Sequence, residues 1–135
     1  MEAAYRVTDP AWVFLKEAQI QQPDQTPVYA DGNWQDACPG ERDCPGTDLW
    51  RGTGWLNQKG GYEMGRVAIQ RHGSPGGYSR NDTIRWGNGP PPGAVNVTLF
   101  DGHAELSKLP NLWSYSWHRN WGSGGSGIGV PTAYQ

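Results

Sequence analysis

Hydrophobic and polar positions alternate most strictly along Val95-Asn96-Val97-Thr98-Leu99-Phe100-Asp101-Gly102-His103-Ala104-Glu105-Leu106. An Asp-Gly pair between two alternating runs predicts a β-hairpin closed by a two-residue type I′ turn, in which both central residues take positive φ. Such a turn sets Leu99 opposite Ala104, Thr98 opposite Glu105 and Val97 opposite Leu106. One face of the hairpin is then apolar, made of Val95, Val97, Leu99, Ala104 and Leu106. The other carries Asn96, Thr98, Phe100, His103, Glu105 and Ser107. A slip of one residue would send one strand's apolar set to the wrong side.

The remaining elements are shorter. A helix is predicted from near Asp9, which can cap it with Pro10 at the first helical position, to before Pro23. Trp12, Val13, Phe14, Leu15 and Ile20 form its broad apolar side. Thr26 to Ala30 reads as a strand that Pro27 confines to a sheet edge or a strand start, with Asp31-Gly32 turning after it. Residues 34–64 read as irregular, pinned by Trp34, Trp50 and Trp55, and Gly65 to His72 reads as a strand with Val67 and Ile69 inward. Trp113, Tyr115 and Trp117 have strand spacing and Trp113, Trp117 and Trp121 helical spacing; the expectation is a helical turn at Pro110 to Trp113, then a strand. Together these predict an α+β fold, a small antiparallel sheet packed on a short N-terminal helix and wrapped by long Gly-, Pro- and Trp-rich loops.

Composition sharpens this picture. A chain of 135 residues suits one domain, and 20 glycines and 11 prolines give much of it to loops. Eight tryptophans and six tyrosines must supply core area that the few aliphatic residues do not. Eleven Lys and Arg against 13 Asp and Glu, with no dense basic run, argue against nucleic acid as a partner. No run of apolar residues is long enough to span a membrane.

Arg71-His72, followed by Ala94-Val95-Asn96-Val97-Thr98-Leu99-Phe100-Asp101-Gly102-His103, resembles the C-terminal signature of bacterial prepilin-type (H-X9-DG) proteins, relatives of type II secretion pseudopilins. The likeness extends to Gln25 through Trp34 and to Leu112 through His118. Two departures stand out. The spacer between His72 and Asp101 is far longer than the family name implies, which reads as an inserted Gly- and Pro-rich loop from Gly73 to Gly93. The apolar helix with which such proteins begin is not found in this chain. The resemblance implies the non-catalytic globular head of a secretion or surface-filament subunit. It further implies an extracytoplasmic location, other pilin-like subunits or a secreted protein as partners, and membrane attachment only through an anchor helix that this chain lacks. It marks Asp31, Gly32, Asn96, Asp101 and Gly102 as turn and fold residues.

Other chemistry is sparse. Cys38 and Cys44 flank a short polar segment between two Cys-Pro-Gly turns and are candidates for a disulfide. His72, Asp101 and His103 are candidate metal ligands if they meet at one end of the sheet; otherwise Asp101 serves its turn and His103 a hydrogen bond. Asp36, Glu41, Asp43 and Asp48 offer oxygen ligands for calcium but lack the spacing of a defined calcium loop. No cofactor is expected, a bound calcium or transition metal being the alternative. There is no nucleophile elbow, phosphate loop or zinc-protease helix, so no catalytic residue is assigned. The competing function is an extracellular carbohydrate- or peptide-binding module, which would expose two or three tryptophans in a row, whereas a structural subunit would bury nearly all. The chain divides into a pilin-like domain over residues 1–121, a flexible linker over 122–127 and a tail over 128–135. In that tail Ile128, Val130 and Tyr134 are candidate anchors for docking as an added edge strand.

Overall fold

The structure is a computed structural model that describes residues 10, 12–33, 37–46, 48–52, 63–73 and 90–122. Three strands form one antiparallel sheet in the order β1 (Pro27–Ala30), β2 (Ala94–Leu99) and β3 (Ala104–Lys108). The fold is thus a small mixed α+β domain, with single turns of helix around a three-stranded sheet. The predicted linker and tail, with Ile128, Val130 and Tyr134, lie outside the described residues apart from Gly122.

The hairpin forms where expected, but its register differs by one residue. Gly102 N donates to Leu99 O at 3.0 Å and Leu99 N to His103 O at 2.9 Å, so the loop holds three residues, Phe100, Asp101 and Gly102. Gly102 is the residue at positive φ, 95°. A three-residue loop of this kind, a type I turn closed by a glycine bulge, needs one left-handed residue. The two-residue type I′ turn would also force Asp101 there, at a cost for any residue with a Cβ. The consequence is a set of pairs in which Val95 faces Ser107, Asn96 faces Leu106, Val97 faces Glu105 and Thr98 faces Ala104. The inner face keeps Val95, Val97 and Leu99 but takes Glu105 and Ser107 from β3, whereas Ala104 and Leu106 turn outward. A Cβ on Gly102 would meet nothing within 4 Å. Gly102→Val is therefore expected to cost about 1 to 3 kcal/mol through backbone strain alone, read as a lower melting temperature with the fold retained.

β1 pairs with β2 across a bulge, with Pro27 opposite Leu99, Tyr29 opposite Thr98 and Ala30 opposite Val97. Pro27 thus sits at the start of an edge strand, where its missing N–H does least harm. Over its described residues the predicted N-terminal helix is replaced by one three-residue 3-10 turn, Glu17–Gln19, and a second, Pro23–Gln25, follows beyond its expected end. Lys16 is extended (φ −145°, ψ 146°), and the Gln19 side chain accepts from the N–H groups of Leu15 and Lys16, satisfying donors a longer helix would have used. The predicted strand from Gly65 to His72 is likewise corrected. Met64–Val67 forms a single helical turn, α1, after which the chain runs to a lone bridge between His72 and Ala94. Val67 and Ile69 are both buried, as a strand would have placed them, but from a turn and an irregular segment. The turn expected at Pro110 to Trp113 is present as the 3-10 helix Leu109–Ser114, with no strand after it.

The core gathers the inner face of the sheet with Leu49, Met64, Val67, Ala68, Ile69, Leu109, Leu112, Trp113 and Tyr115. Trp113 is 1% exposed, and its Nε1 donates to the Asp43 carbonyl at 3.0 Å, joining the 3-10 helix to the loop of residues 37–46. Trp50, Trp117 and Trp121 pack around this centre.

Candidate functional site

The residues marked by the family-like signature fall into two groups at opposite ends of β2. At the first end the β1 exit, the bridge strand and β2 converge. Asp31 N donates to Asn96 O at 3.0 Å, and Asn96 N returns a bond to Asp31 Oδ2 at 2.8 Å. His72 is fixed against β2 by paired backbone bonds to Ala94 of 2.9 and 2.8 Å. Its ring Nε2 lies 3.1 Å from Asp31 Oδ2 and 2.9 Å from Asn96 Nδ2. One ring nitrogen therefore faces an acceptor and a donor: protonated it donates to Asp31, and unprotonated it accepts from Asn96. Either form finds a partner, so the three side chains clasp three segments together. Among the described residues the His72 ring meets no hydroxyl or thiol that it could activate.

The second group closes the hairpin tip. His103 N donates to Asp101 Oδ1 at 3.1 Å, and His103 Nδ1 lies 2.7 and 2.8 Å from the two carboxylate oxygens. These contacts, the backbone N–H first, hold the Asp101 carboxyl below the usual range of aspartate. The tip is tied to the turn beneath it by Phe100 N to Thr26 O and Asp101 N to Pro23 O. His72 thus sits beside Ala94 at one end of β2, and Asp101 and His103 lie beyond Leu99 at the other. The candidate metal set His72, Asp101 and His103 is not assembled. Among the described residues no group of three or more His, Cys, Asp or Glu side chains could hold a metal ion.

The acidic loop is also spent on the fold. Asp43 is buried, and its Oδ2 accepts from Gly40 N at 2.9 Å and Met64 N at 3.3 Å. Asp48 Oδ1 accepts from Trp50 N at 2.9 Å and Arg51 N at 3.4 Å, and Glu41 reaches the C-terminal segment; Asp36 lies outside the described residues. Cys38 and Cys44 are thiols, so the expected disulfide is not present. The short loop between them is held instead through the Asp43 carboxylate and by Cys38 N donating to Glu63 Oε2 at 3.2 Å.

A third cluster has no counterpart in the sequence reading. His118 is 5% exposed, with the Trp12 ring at a centroid distance of 3.9 Å and the Trp121 ring at 5.1 Å. Its Nδ1 accepts from Asn120 N at 3.2 Å, which leaves the ring proton on Nε2 in the neutral form. Nε2 lies 3.2 Å from Glu41 Oε2, within ion-pair range but off the direction of a hydrogen bond. Ser114 and Ser116, near His118 in sequence, donate elsewhere, to Asn111 O and Gln22 Oε1. The cluster joins three distant parts of the chain.

Tyr115 titrates well above the ordinary range of a tyrosine. Burial, followed by a hydrogen bond from its hydroxyl to Glu105, raises its pKa from 10.0 to about 12. A pKa raised in the folded state means stability that is complete below pH 10 and lost as pH climbs toward 12. Solvent screening at this partly open site keeps the loss below the roughly 1.4 kcal/mol per pH unit that a fully buried shift would give. Denaturation followed between pH 9 and 12 should show this decline, and Tyr115→Phe should flatten it.

Among the described residues no helix is long and apolar enough to cross a membrane. Compared with family models, curated proteins and solved structures, the chain matches none of them.

Proposed function

We propose that this domain is the non-catalytic globular head of a pilin- or pseudopilin-like subunit, working outside the cytoplasm in a secretion system or surface filament. The observation that carries the reading is the clasp at the start of β2. Asp31, His72 and Asn96, all within the stretches that resemble the prepilin-type signature, bond to one another and to the backbone of the sheet. Residues used in this way serve the fold, which suits a structural subunit. The partners in this reading are other pilin-like subunits or a secreted protein, and no cofactor enters it.

Two further features favour a structural subunit over a sugar-binding module. None of the five described tryptophans, Trp12, Trp50, Trp113, Trp117 and Trp121, is classed as exposed, so they form no open stacking platform. The outer sheet face, by contrast, displays Tyr29 at 74% and Leu106 at 59% exposure, with Val28 and Phe100 also exposed. Large apolar side chains left exposed around one sheet suit contact with another protein. An antibody raised against the domain tests the proposal in native cells. Labelling of surface filaments or of the cell envelope is expected, and labelling confined to the cytosol would overturn it.

A further inference from the structure

β3 is one edge of the three-stranded sheet. Its hydrogen-bonding pattern follows from the hairpin tip. The bond from Leu99 N to His103 O makes Val97 with Glu105, and Val95 with Ser107, the pairs that exchange backbone bonds. Asn96 and Thr98 then point to β1, as the bond from Asp31 N to Asn96 O shows. By the same alternation the N–H and C=O groups of Ala104, Leu106 and Lys108 point away from β2, toward the open edge. Ala104, Leu106 and Lys108 are all exposed, and among the described residues no strand pairs with that edge. An uncovered strand with outward donors and acceptors is a template for a further strand.

The sequence of this edge selects what fits it. In antiparallel pairing, the outward residues of one strand must meet the outward residues of the other. For two copies of Ala104-Glu105-Leu106-Ser107-Lys108 this leaves two-fold axes through Glu105, Leu106 or Ser107. An axis through Glu105 sets two carboxylates side by side, which is destabilising. An axis through Ser107 shortens the overlap, because the strand ends at Lys108 and the 3-10 helix begins at Leu109. An axis through Leu106 pairs Leu106 with its counterpart, Glu105 with Ser107 and Ala104 with Lys108. No like charges are then opposed, and every outward backbone group of the strand finds a partner.

We propose that the partner of this edge is a second copy of the chain, docked β3 to β3 in antiparallel register about Leu106. The result is a continuous six-stranded sheet whose outer face joins Leu106 of both copies between the two exposed Tyr29 side chains. The contact area is small, so the dimer is weak, with a Kd on the order of 0.1 mM. The inference stands on the strand edge and not on the filament reading, so either can fail without the other.

Sedimentation equilibrium on the full chain, with amide exchange at low and high concentration, tests it. The wild type should be monomeric when dilute and dimeric near about 1 mM, well above such a Kd. In parallel, the amides of Ala104, Leu106 and Lys108 should become protected, whereas those of Glu105 and Ser107, which bond to β2, should be protected throughout. Leu106→Pro removes an N–H that β2 does not use and should weaken the dimer by about 100-fold or more while keeping the circular dichroism of the wild type. Leu106→Lys, which opposes two charges on the axis, should do the same without a proline. A chain that stays monomeric near 1 mM, a dimer that both variants leave intact, or concentration-dependent protection at other residues would each overturn the proposal.

Discussion

Truncating Trp113 to alanine is expected to lower the stability of the domain by about 3 to 5 kcal/mol, a large share of the roughly 5 to 15 kcal/mol that holds a domain of this size. Trp113 is among the largest fully buried side chains, packed where the inner sheet face, α1 and the 3-10 helix Leu109–Ser114 meet. The core around it is built from short segments, so the cavity left by the indole cannot be refilled by sliding one long helix. The substitution also removes the donor to the Asp43 carbonyl, leaving a buried acceptor at the loop of residues 37–46. Trp113→Phe separates the two effects: it keeps most of the volume, loses the hydrogen bond and should cost about 1 to 2 kcal/mol. Trp121→Ala, at a half-buried position, should fall well below Trp113→Ala. Urea denaturation followed by circular dichroism ranks the three, and equal costs for Trp113 and Trp121 would contradict the placement of the core.

The hairpin was legible because strict alternation and an Asp-Gly pair both act over a few residues. Its register was not, because the same Asp-Gly pair serves a type I′ turn and a type I turn with a glycine bulge. The difference rests on Asp101 avoiding positive φ and on its carboxylate capping His103 N. The outward turn of Leu106 follows, and with it the apolar edge. The N-terminal segment shows the opposite failure. Asp9 and Pro10 are sound local signals for a helix start, but Trp12 packs against His118, and Arg119 reaches back to the Pro10 carbonyl, so contacts with the far end of the chain shape the segment. Between Met64 and His72, apolar residues two apart read as a strand. In the structure Val67 ends a helical turn and Ile69 lies in the irregular segment after it, both reaching one core.

Side chains that meet across long separations were beyond any local pattern. Asp31, His72 and Asn96 were each marked, the first and last as fold residues and His72 as a candidate ligand. Their meeting spans 41 residues from Asp31 to His72 and 65 to Asn96. The pairing of Glu41 with His118 carried no sequence signal, since neither residue sits in a motif that points to the other. The cysteines mislead for a related reason. Their spacing suits a disulfide, but the residue that organises the loop is the aspartate between them.

Replacing that aspartate is accordingly expected to be more damaging than replacing either cysteine. Asp43 is 4% exposed, and its carboxylate accepts from the N–H groups of Gly40 and Met64, one within its own turn and one at the start of α1. Hydrogen bonds to a charged acceptor contribute more than neutral ones, and a buried N–H left alone costs about 1 to 3 kcal/mol. With two such donors abandoned at once, Asp43→Ala should destabilise the domain by about 3 kcal/mol. The damage should extend past the loop, because Met64 is a fully buried core residue whose backbone position Asp43 helps to fix. Asp43→Asn keeps the volume and one oxygen acceptor but loses the charge, and should fall between the alanine variant and the wild type. Cys38→Ser, at a half-buried position with no bridge to lose, should cost about 1 kcal/mol or less. Thermal melting of the three variants under reducing and non-reducing conditions decides the matter. A wild type that loses more stability on reduction than Asp43→Ala loses relative to it would return the loop to the cysteines.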